Sequence, residues 1–299
     1  MKWWQTGCVY QVYLRSFQDS DGDGVGDLPG LRRRLPELVE LGVSALWLSP
    51  IHDSPDVDFG YDVADYRSIH PRLGTTADLR GLIDDAHAAG LKIILDGVFN
   101  HTSSTHPWFT DSRQRKNDRD DWYIWRDTPN NWQSIFGGPA WTFCPQRGQH
   151  YLHSFASQQP DLNWRCPEVA EAILAEMTHW LDQGVDGFRL DVFNCYRKSA
   201  DLTDNPRRYH AAGLVYGYLR QHHIHDRDQD DLAEILAILR ALIDRYDDRF
   251  LVGEPLDERL QYEQAARWVG PDHLHTAFSF RLLHTKWKAR AFRNAINAW

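Results

Sequence analysis

Three short, largely apolar runs in this 299-residue chain each end in a carboxylate: Leu91-Lys92-Ile93-Ile94-Leu95-Asp96, Gly187-Phe188-Arg189-Leu190-Asp191 and Phe250-Leu251-Val252-Gly253-Glu254. Asn100 and His101 follow the first run within a few residues. Arg189 stands two residues before Asp191, so on a strand the guanidinium and the carboxylate point to one face. Acids carried by different parallel strands converge at one rim when those strands curl into a barrel. Two carboxylates in one cleft can break a glycosidic bond, one attacking the anomeric carbon and the other protonating the leaving oxygen, about 5–5.5 Å apart in the retaining form. Taken alone, Arg189 and Asp191 read equally well as a buried ion pair between strand ends. Asp96, His101 and Glu254 at other strand ends favour chemistry.

The elements that must position these groups alternate regularly. Strand-like segments at 9–14, 43–48, 91–96, 186–191, 250–254 and 276–280 interleave with helical patterns at 28–41, 76–89, 168–183, 231–246, 257–268 and 286–299. Such alternation predicts right-handed βαβ units around a parallel sheet. Gly42 and Gly90 stand where a left-handed residue would stop the first two helices. The expected class is α/β, an (β/α)8 TIM barrel that is incomplete, since about six βα units are visible where closure takes eight. Its open edges would make the chain aggregation-prone or dependent on a partner. Roughly 65 residues separate the third strand from the helix beginning near Glu168, too many for an ordinary connection, and predict an inserted subdomain over the rim. The organisation is therefore 1–101 as the first part of the barrel, 102–167 as the insertion, and 168–299 as its continuation, ending before strands 7 and 8. A second insertion, about 193–229, contains His222-His223-Ile224-His225-Asp226-Arg227-Asp228. A solvated loop is favoured there over a metal site, because the run fixes no ligand geometry.

Composition sets outer limits. With 42% hydrophobic and 25% charged residues the chain reads as globular rather than disordered. A net charge of −9 argues against a nucleic-acid partner, which needs a concentrated basic patch. The Arg32-Arg33-Arg34 cluster reads as a solvated helix face. Cys8, Cys144, Cys166 and Cys195 lack C-x-x-C spacing, so neither a zinc site nor a disulfide framework is expected, and a reducing compartment fits. The start lacks signal-peptide character and no run approaches 18 apolar residues, so a cytoplasmic protein without a membrane partner is expected.

Asp19-Ser20-Asp21-Gly22-Asp23-Gly24-Val25-Gly26-Asp27 places carboxylates at alternate positions of a Gly-rich turn, like the first half of a calcium loop. The Glu expected at the twelfth position of an EF-hand is missing. A plain Asp/Gly turn is the alternative.

The chain resembles glycoside hydrolase family 13, the α-amylase family, in its α-glucosidase and oligo-1,6-glucosidase branch. The segments that carry the likeness are Asp96 to His101, Gln159-Pro160-Asp161-Leu162-Asn163, Gly187 to Asp191 and Val252-Gly253-Glu254, in the family's order, with Tyr10 to Phe17 and Phe59 to Tyr66 also alike. The resemblance implies Asp191 as nucleophile, kept ionised by Arg189, and Glu254 as acid/base, which must hold a proton near neutral pH. It implies Asp62 and His101 as hydrogen-bonding partners of the non-reducing glucose, Tyr61 and Phe143 as stacking faces, and Asp96 as a support of Arg189. Packing roles for Tyr61 and Phe143 remain open alternatives. It further implies a structural calcium ion, with magnesium as the alternative, held by Asp19, Asp21, Asp23, the Val25 carbonyl and Asp27, and no organic cofactor. Val192, directly after the nucleophile, is shared with the oligo-1,6-glucosidase branch. One departure stands out: the family's later Asn-His-Asp motif on the seventh barrel strand does not occur in these 299 residues. An incomplete enzyme is expected on that ground.

The function these readings imply is a retaining α-glucosidase that removes terminal α-linked glucose from short oligosaccharides, through α-1,4 or α-1,6 linkages. Alternatives are an α-glucosyl transferase or sugar isomerase on the same fold, although the Arg-Leu-Asp-Arg-Asp segment of sucrose isomerases is absent. A non-catalytic relative, such as a transporter heavy-chain ectodomain, or a fragment that only binds sugar or a partner, is the reading from a different class.

Overall fold

The computed structural model describes residues 1–209, 211–214, 216–256 and 266–298. Its strands are β1 (Val9–Val12), β2 (Ala45–Leu48), β3 (His52–Asp53), β4 (Asp65–Ile69), β5 (Lys92–Gly97), β6 (Trp125–Arg126), β7 (Trp141–Cys144), β8 (Gln149–Leu152), β9 (Gly187–Leu190), β10 (Phe250–Gly253) and β11 (Thr276–Ala277). Six of them form one parallel sheet in the order β1-β2-β5-β9-β10-β11. Among the described residues β1 and β11 each pair on one side only, so the sheet is an open arc with TIM-barrel order. All six expected strands are present, the last shortened to two residues.

Register decides which residues reach the rim. Asp96 pairs with Arg189, and Arg189 with Val252, so the three strands present their inward residues at one level. Gly187 lies opposite Phe250, where an added Cβ would sit 2.1 Å from the Phe250 carbonyl oxygen, so no other residue fits that approach. Below the rim the inner face is closed by Ala45, Ile94, Phe250 and Val252. The N-terminal helix α1 (Trp3–Thr6) covers this floor, with the Trp4 ring stacked on Phe250 at 5.4 Å and the Trp3 ring edge-on to it at 5.2 Å. On β1 the inward positions find no such cover: Val9 is 38% exposed and Tyr13, just beyond the strand, 43%.

Helices shield the outer face. In α4 (Thr76–Ala88), α6 (Pro167–Asp182) and α7 (Leu232–Ile243) the buried residues recur at helical spacing, as in Leu232, Ile235, Leu236, Leu239, Leu242 and Ile243. Each such buried aliphatic side chain contributes roughly 1.5–3 kcal/mol. A reciprocal Thr75–Asp78 capping box starts α4. Gly42 and Gly90 have φ of 81° and 79°, the left-handed conformation expected of them. The predicted helix over 28–41 is broken into α2 (Leu28–Arg33) and α3 (Leu35–Glu40). Pro36 is the cause, because it cannot donate to the Arg32 carbonyl and its ring would collide with that turn. Most of the predicted helix 257–268 falls outside the described residues, and α8 (Ala289–Asn297) occupies the last predicted span.

Between β5 and α6 the chain forms α5 (Pro107–Gln114) and a small antiparallel sheet, β6-β8-β7, packed on aromatics such as Phe109 and Trp125, whose rings stack at 5.6 Å. Bridges from His101 to Asp161 and from Tyr123 to Leu162 tie this insertion to the rim. The His222–Asp228 run is less solvated than expected. His223 is buried, its Nδ1 2.6 Å from Asp226 Oδ2 and its Nε2 2.8 Å from the Tyr218 carbonyl. Among the described residues the run contributes to no metal-binding cluster. No helix among them is long and apolar enough to cross a membrane.

Candidate active site

Arg189 is the centre of the rim. Its Nη1 donates to Asp96 Oδ1 at 2.6 Å and to Asp191 Oδ1 at 2.7 Å, while Nη2 donates to Glu254 Oε2. Asp191 and Asp96 were the expected partners of Arg189; the structure adds Glu254 as a third. Burial works against the guanidinium's charge, but Asp96 and Asp191 outweigh it and hold the group more firmly protonated than free arginine. The ring faces of Trp47 and Tyr61 lie 5.2 and 5.8 Å from its centre and add cation–π attraction.

Asp96 lies beneath the rim, fully enclosed. Burial pushes its carboxyl up to about 7, Arg189 pulls against that, and the charge of Asp191 adds to the rise. Trp47 Nε1 at 3.1 Å and the Tyr61 hydroxyl at 3.4 Å share its second oxygen. Asp96 thus fixes Arg189 from below and does not line the cavity.

Above lies a cavity of about 390 Å³, lined by Asp58, Tyr61, His101, Phe136, Phe155, Arg189, Asp191, Val192, Glu254, Pro255, Leu256, Phe280 and His284. The structure therefore brings together Tyr61, His101, Arg189, Asp191 and Glu254 of the expected site. Val192, which turns the chain out of β9, has φ 37° and ψ 42°, a left-handed conformation that is costly for a β-branched side chain.

Two expected sugar-binding residues lie elsewhere. Asp62 is fully buried and spent on its own loop, accepting from Ser54 Oγ at 2.8 Å, Val57 N at 3.0 Å and Asp58 N at 3.1 Å. Asp58, four residues earlier, is the carboxylate that reaches the cavity. It accepts from Gln159 Nε2 at 3.0 Å, and burial raises its pKa. Phe143 sits half exposed on β7 against His150, whereas Phe136 and Phe155 supply the aromatic faces of the cavity. The segment Asp58-Phe59-Gly60-Tyr61-Asp62 offered two carboxylates, and only the buried backbone amides beside Asp62 decide between them. Asp62→Ala is expected to destabilise the fold by about 2–4 kcal/mol through those stranded donors, and Asp58→Asn by less than about 1 kcal/mol. Urea denaturation midpoints of the two variants check this.

At the loop after β1, Asp19, Asp21 and Asp27 bring one carboxylate oxygen each within 4.8 Å of one another. Asp23 turns away to Arg72 Nε at 3.1 Å. Backbone N–H groups of Gly22 and Gly24 lower the pKa of Asp19. Asp27 caps α2 through Gly30 N at 2.6 Å. An all-oxygen set of this kind suits a hard divalent cation.

Comparison with known proteins settles the family. The profile of the α-amylase catalytic domain matches residues 11–297. The chain belongs to the α-amylase family. A probable α-glucosidase of Rhizobium meliloti (strain 1021) is 45% identical over 295 residues, covering 94% of this chain and 54% of that protein. An oligo-1,6-glucosidase of Parageobacillus thermoglucosidasius is 45% identical over 244 residues, covering 79% of this chain and 43% of that protein. The crystal structure of an α-glucosyl transfer enzyme superposes with a TM-score of 0.93 at 42% identity, covering all of this chain and 58% of that one. The chain spans about half the length of the curated relatives it matches. As is general for TIM-barrel enzymes, the site stands at the C-terminal ends of the parallel strands.

Proposed function

We propose that the protein is a retaining α-glucosidase acting on the non-reducing glucose of short α-linked oligosaccharides. The observation that carries this reading is the placement of Asp191 and Glu254 at the ends of neighbouring strands, both bonded to Arg189 and both facing one cavity. Asp191 attacks the anomeric carbon while Glu254 gives its proton to the leaving oxygen; water then enters with Glu254 as base. Because Glu254 pairs with Arg189 in the sugar-free site, it must exchange that partner for the glycosidic oxygen as substrate enters. Its side chain, 23% exposed, has room to do so.

The walls support a neutral hexose. Phe136, Phe155 and Tyr61 offer apolar faces, and Asp58 and His101 offer polar contacts for hydroxyls. Among the described lining residues Arg189 is the one fixed cation, and three carboxylates surround it, which disfavours a phosphorylated glycone. Transfer of the glucosyl group to an acceptor other than water is the second reading, favoured by the likeness to the α-glucosyl transfer enzyme. Incubation with p-nitrophenyl α-glucoside and a 5-fluoro glucosyl fluoride tests the proposal. Turnover, with the label on Asp191 by mass spectrometry, supports it; turnover with the label on a residue other than Asp191 overturns it. Added glucose or maltose distinguishes transfer, which would yield a glucosylated acceptor.

We further propose a structural calcium ion, or magnesium in its place, at Asp19, Asp21 and Asp27. Calcium at one hundred times its dissociation constant is expected to stabilise the fold by about 2.7 kcal/mol. Thermal melts with calcium and with chelator check this, and identical melting curves would remove the site. A cytoplasmic location accords with four unpaired cysteines, and cell fractionation tests it.

A further inference from the structure

Behind the cavity wall, Lys198 is buried to 3% exposure, its Nζ 2.7 Å from Asp161 Oδ2 and 2.9 Å from Asn100 Oδ1. Asp161 is itself enclosed and held by Ser154, whose N donates to Oδ1 at 2.8 Å and whose Oγ donates to Oδ2 at 2.5 Å. An ammonium group has donors only, so the Asn100 atom facing it must be the carbonyl oxygen. The amide nitrogen then faces His101 Nδ1 at 3.1 Å, and it too can only donate. Nδ1 must therefore accept.

The other ring nitrogen gives the same answer independently. His101 Nε2 lies 3.0 Å from the backbone carbonyl oxygen of Tyr61, which can only accept. Gln159 Nε2 is 3.2 Å from His101 Nε2, and its orientation is pinned because its Oε1 accepts from Ala156 N at 3.0 Å. That nitrogen spends its donors on Asp58 Oδ2 at 3.0 Å and the Tyr61 carbonyl at 3.4 Å, so it cannot serve as acceptor to His101 or require a lone pair from it.

We propose that Lys198, acting through the Asn100 amide, is a positioning residue that sets the tautomer of His101, leaving Nδ1 unprotonated and Nε2 as an N–H donor at the cavity wall. The second nitrogen of a histidine follows the hydrogen bond made by the first. His101 lines the cavity while Lys198 does not. The role in sugar recognition rests on the proposed function: the Nε2–H, which donates to the Tyr61 carbonyl in the sugar-free site, can be shared with an entering hydroxyl oxygen, complementing Asp58, which offers an acceptor.

Long-range proton–nitrogen correlation spectra of histidine-labelled protein, with His101 assigned by its loss in His101→Gln, test this in the sugar-free state. In the unaltered protein Nδ1 is expected at the position of an unprotonated ring nitrogen and Nε2 at that of a protonated one. Lys198→Met combined with Asp161→Asn, which avoids stranding a buried carboxylate, frees the Asn100 amide to turn; the Tyr61 carbonyl still favours Nε2–H, so both resonances should move part of the way toward the average of exchanging tautomers. Asn100→Asp keeps the Lys198 contact but puts an acceptor opposite Nδ1, which should then be protonated. A protonated Nδ1 in the unaltered protein, unchanged resonances in the folded double variant, or an unprotonated Nδ1 in Asn100→Asp overturns the proposal. The spectra need no turnover, so this result stands apart from whether the protein cleaves α-glucosides.

Discussion

Asp191→Asn is expected to lower kcat/KM for p-nitrophenyl α-glucoside by roughly 10⁴-fold or more, the scale seen when a covalent nucleophile is removed. An amide cannot form the glucosyl ester, and no other carboxylate can substitute. Asp96 is enclosed beneath Arg189, Asp58 lies on the loop after β3 and is held by Gln159 Nε2, and Glu254 stands on the neighbouring strand in the position of the acid. The loss should fall on kcat, because Phe136, Phe155, Asp58 and His101 would still hold the sugar. Folding should survive. Asn keeps an oxygen for the Arg189 Nη1 contact, and Arg189 retains Asp96 and Glu254. Three carboxylates around one guanidinium also leave excess negative charge in a closed space, so removing one relieves repulsion. Initial rates, the melting temperature and the anomer of glucose first released, α for the retaining course, are the readouts. Rates within tenfold of the unaltered protein would show that Asp191 is an ion-pair member and not the nucleophile.

How much of this was legible in the sequence differs from residue to residue, for physical reasons. The strand ends at Asp96, Asp191 and Glu254 could be read because each short apolar run stops in a carboxylate, and the β period then fixes that Arg189 and Asp191 share a face. The parallel βαβ order followed from alternation, whereas the TIM-barrel reading rested also on the family resemblance. Pro36 was visible, yet its helix was read through it, because the apolar spacing on either side of the break keeps one phase. The fate of Asp58 and Asp62 was not legible, since both lie in one short loop and differ only in which backbone amides turn toward them. Phe136 and Phe155 were missed for a related reason. They come from a segment whose path over the rim is set by contacts such as the Ser134 Oγ bond to the Phe155 carbonyl, 21 residues apart, and no local period announces those. The bond from Arg189 to Glu254 was likewise hidden, because it joins residues 65 positions apart on different strands.

Glu254→Gln is expected to separate the two steps of the reaction. With an activated aryl glucoside the departing phenolate needs little protonation, so the first step should persist, while attack of water on the glucosyl–Asp191 ester loses its base and becomes rate-limiting. A burst of phenol followed by a slow steady state should result, with steady-state turnover about 10²–10⁴-fold below the unaltered protein. Unactivated disaccharides lose both acid and base assistance and should fall furthest. Azide needs no proton removed before it attacks, so it should restore the aryl glucoside rate and leave α-glucosyl azide as product. Restoration by azide distinguishes loss of proton transfer from collapse of the site. Gln at position 254 still offers an oxygen to Arg189, so the guanidinium should remain in place for Asp96 and Asp191. A Glu254→Gln protein that cleaves aryl glucosides and disaccharides with equal loss, and that azide leaves unchanged, would show that the proton comes from another group. In that case the bond between Glu254 and Arg189 would be a support of the guanidinium and not the resting state of the acid.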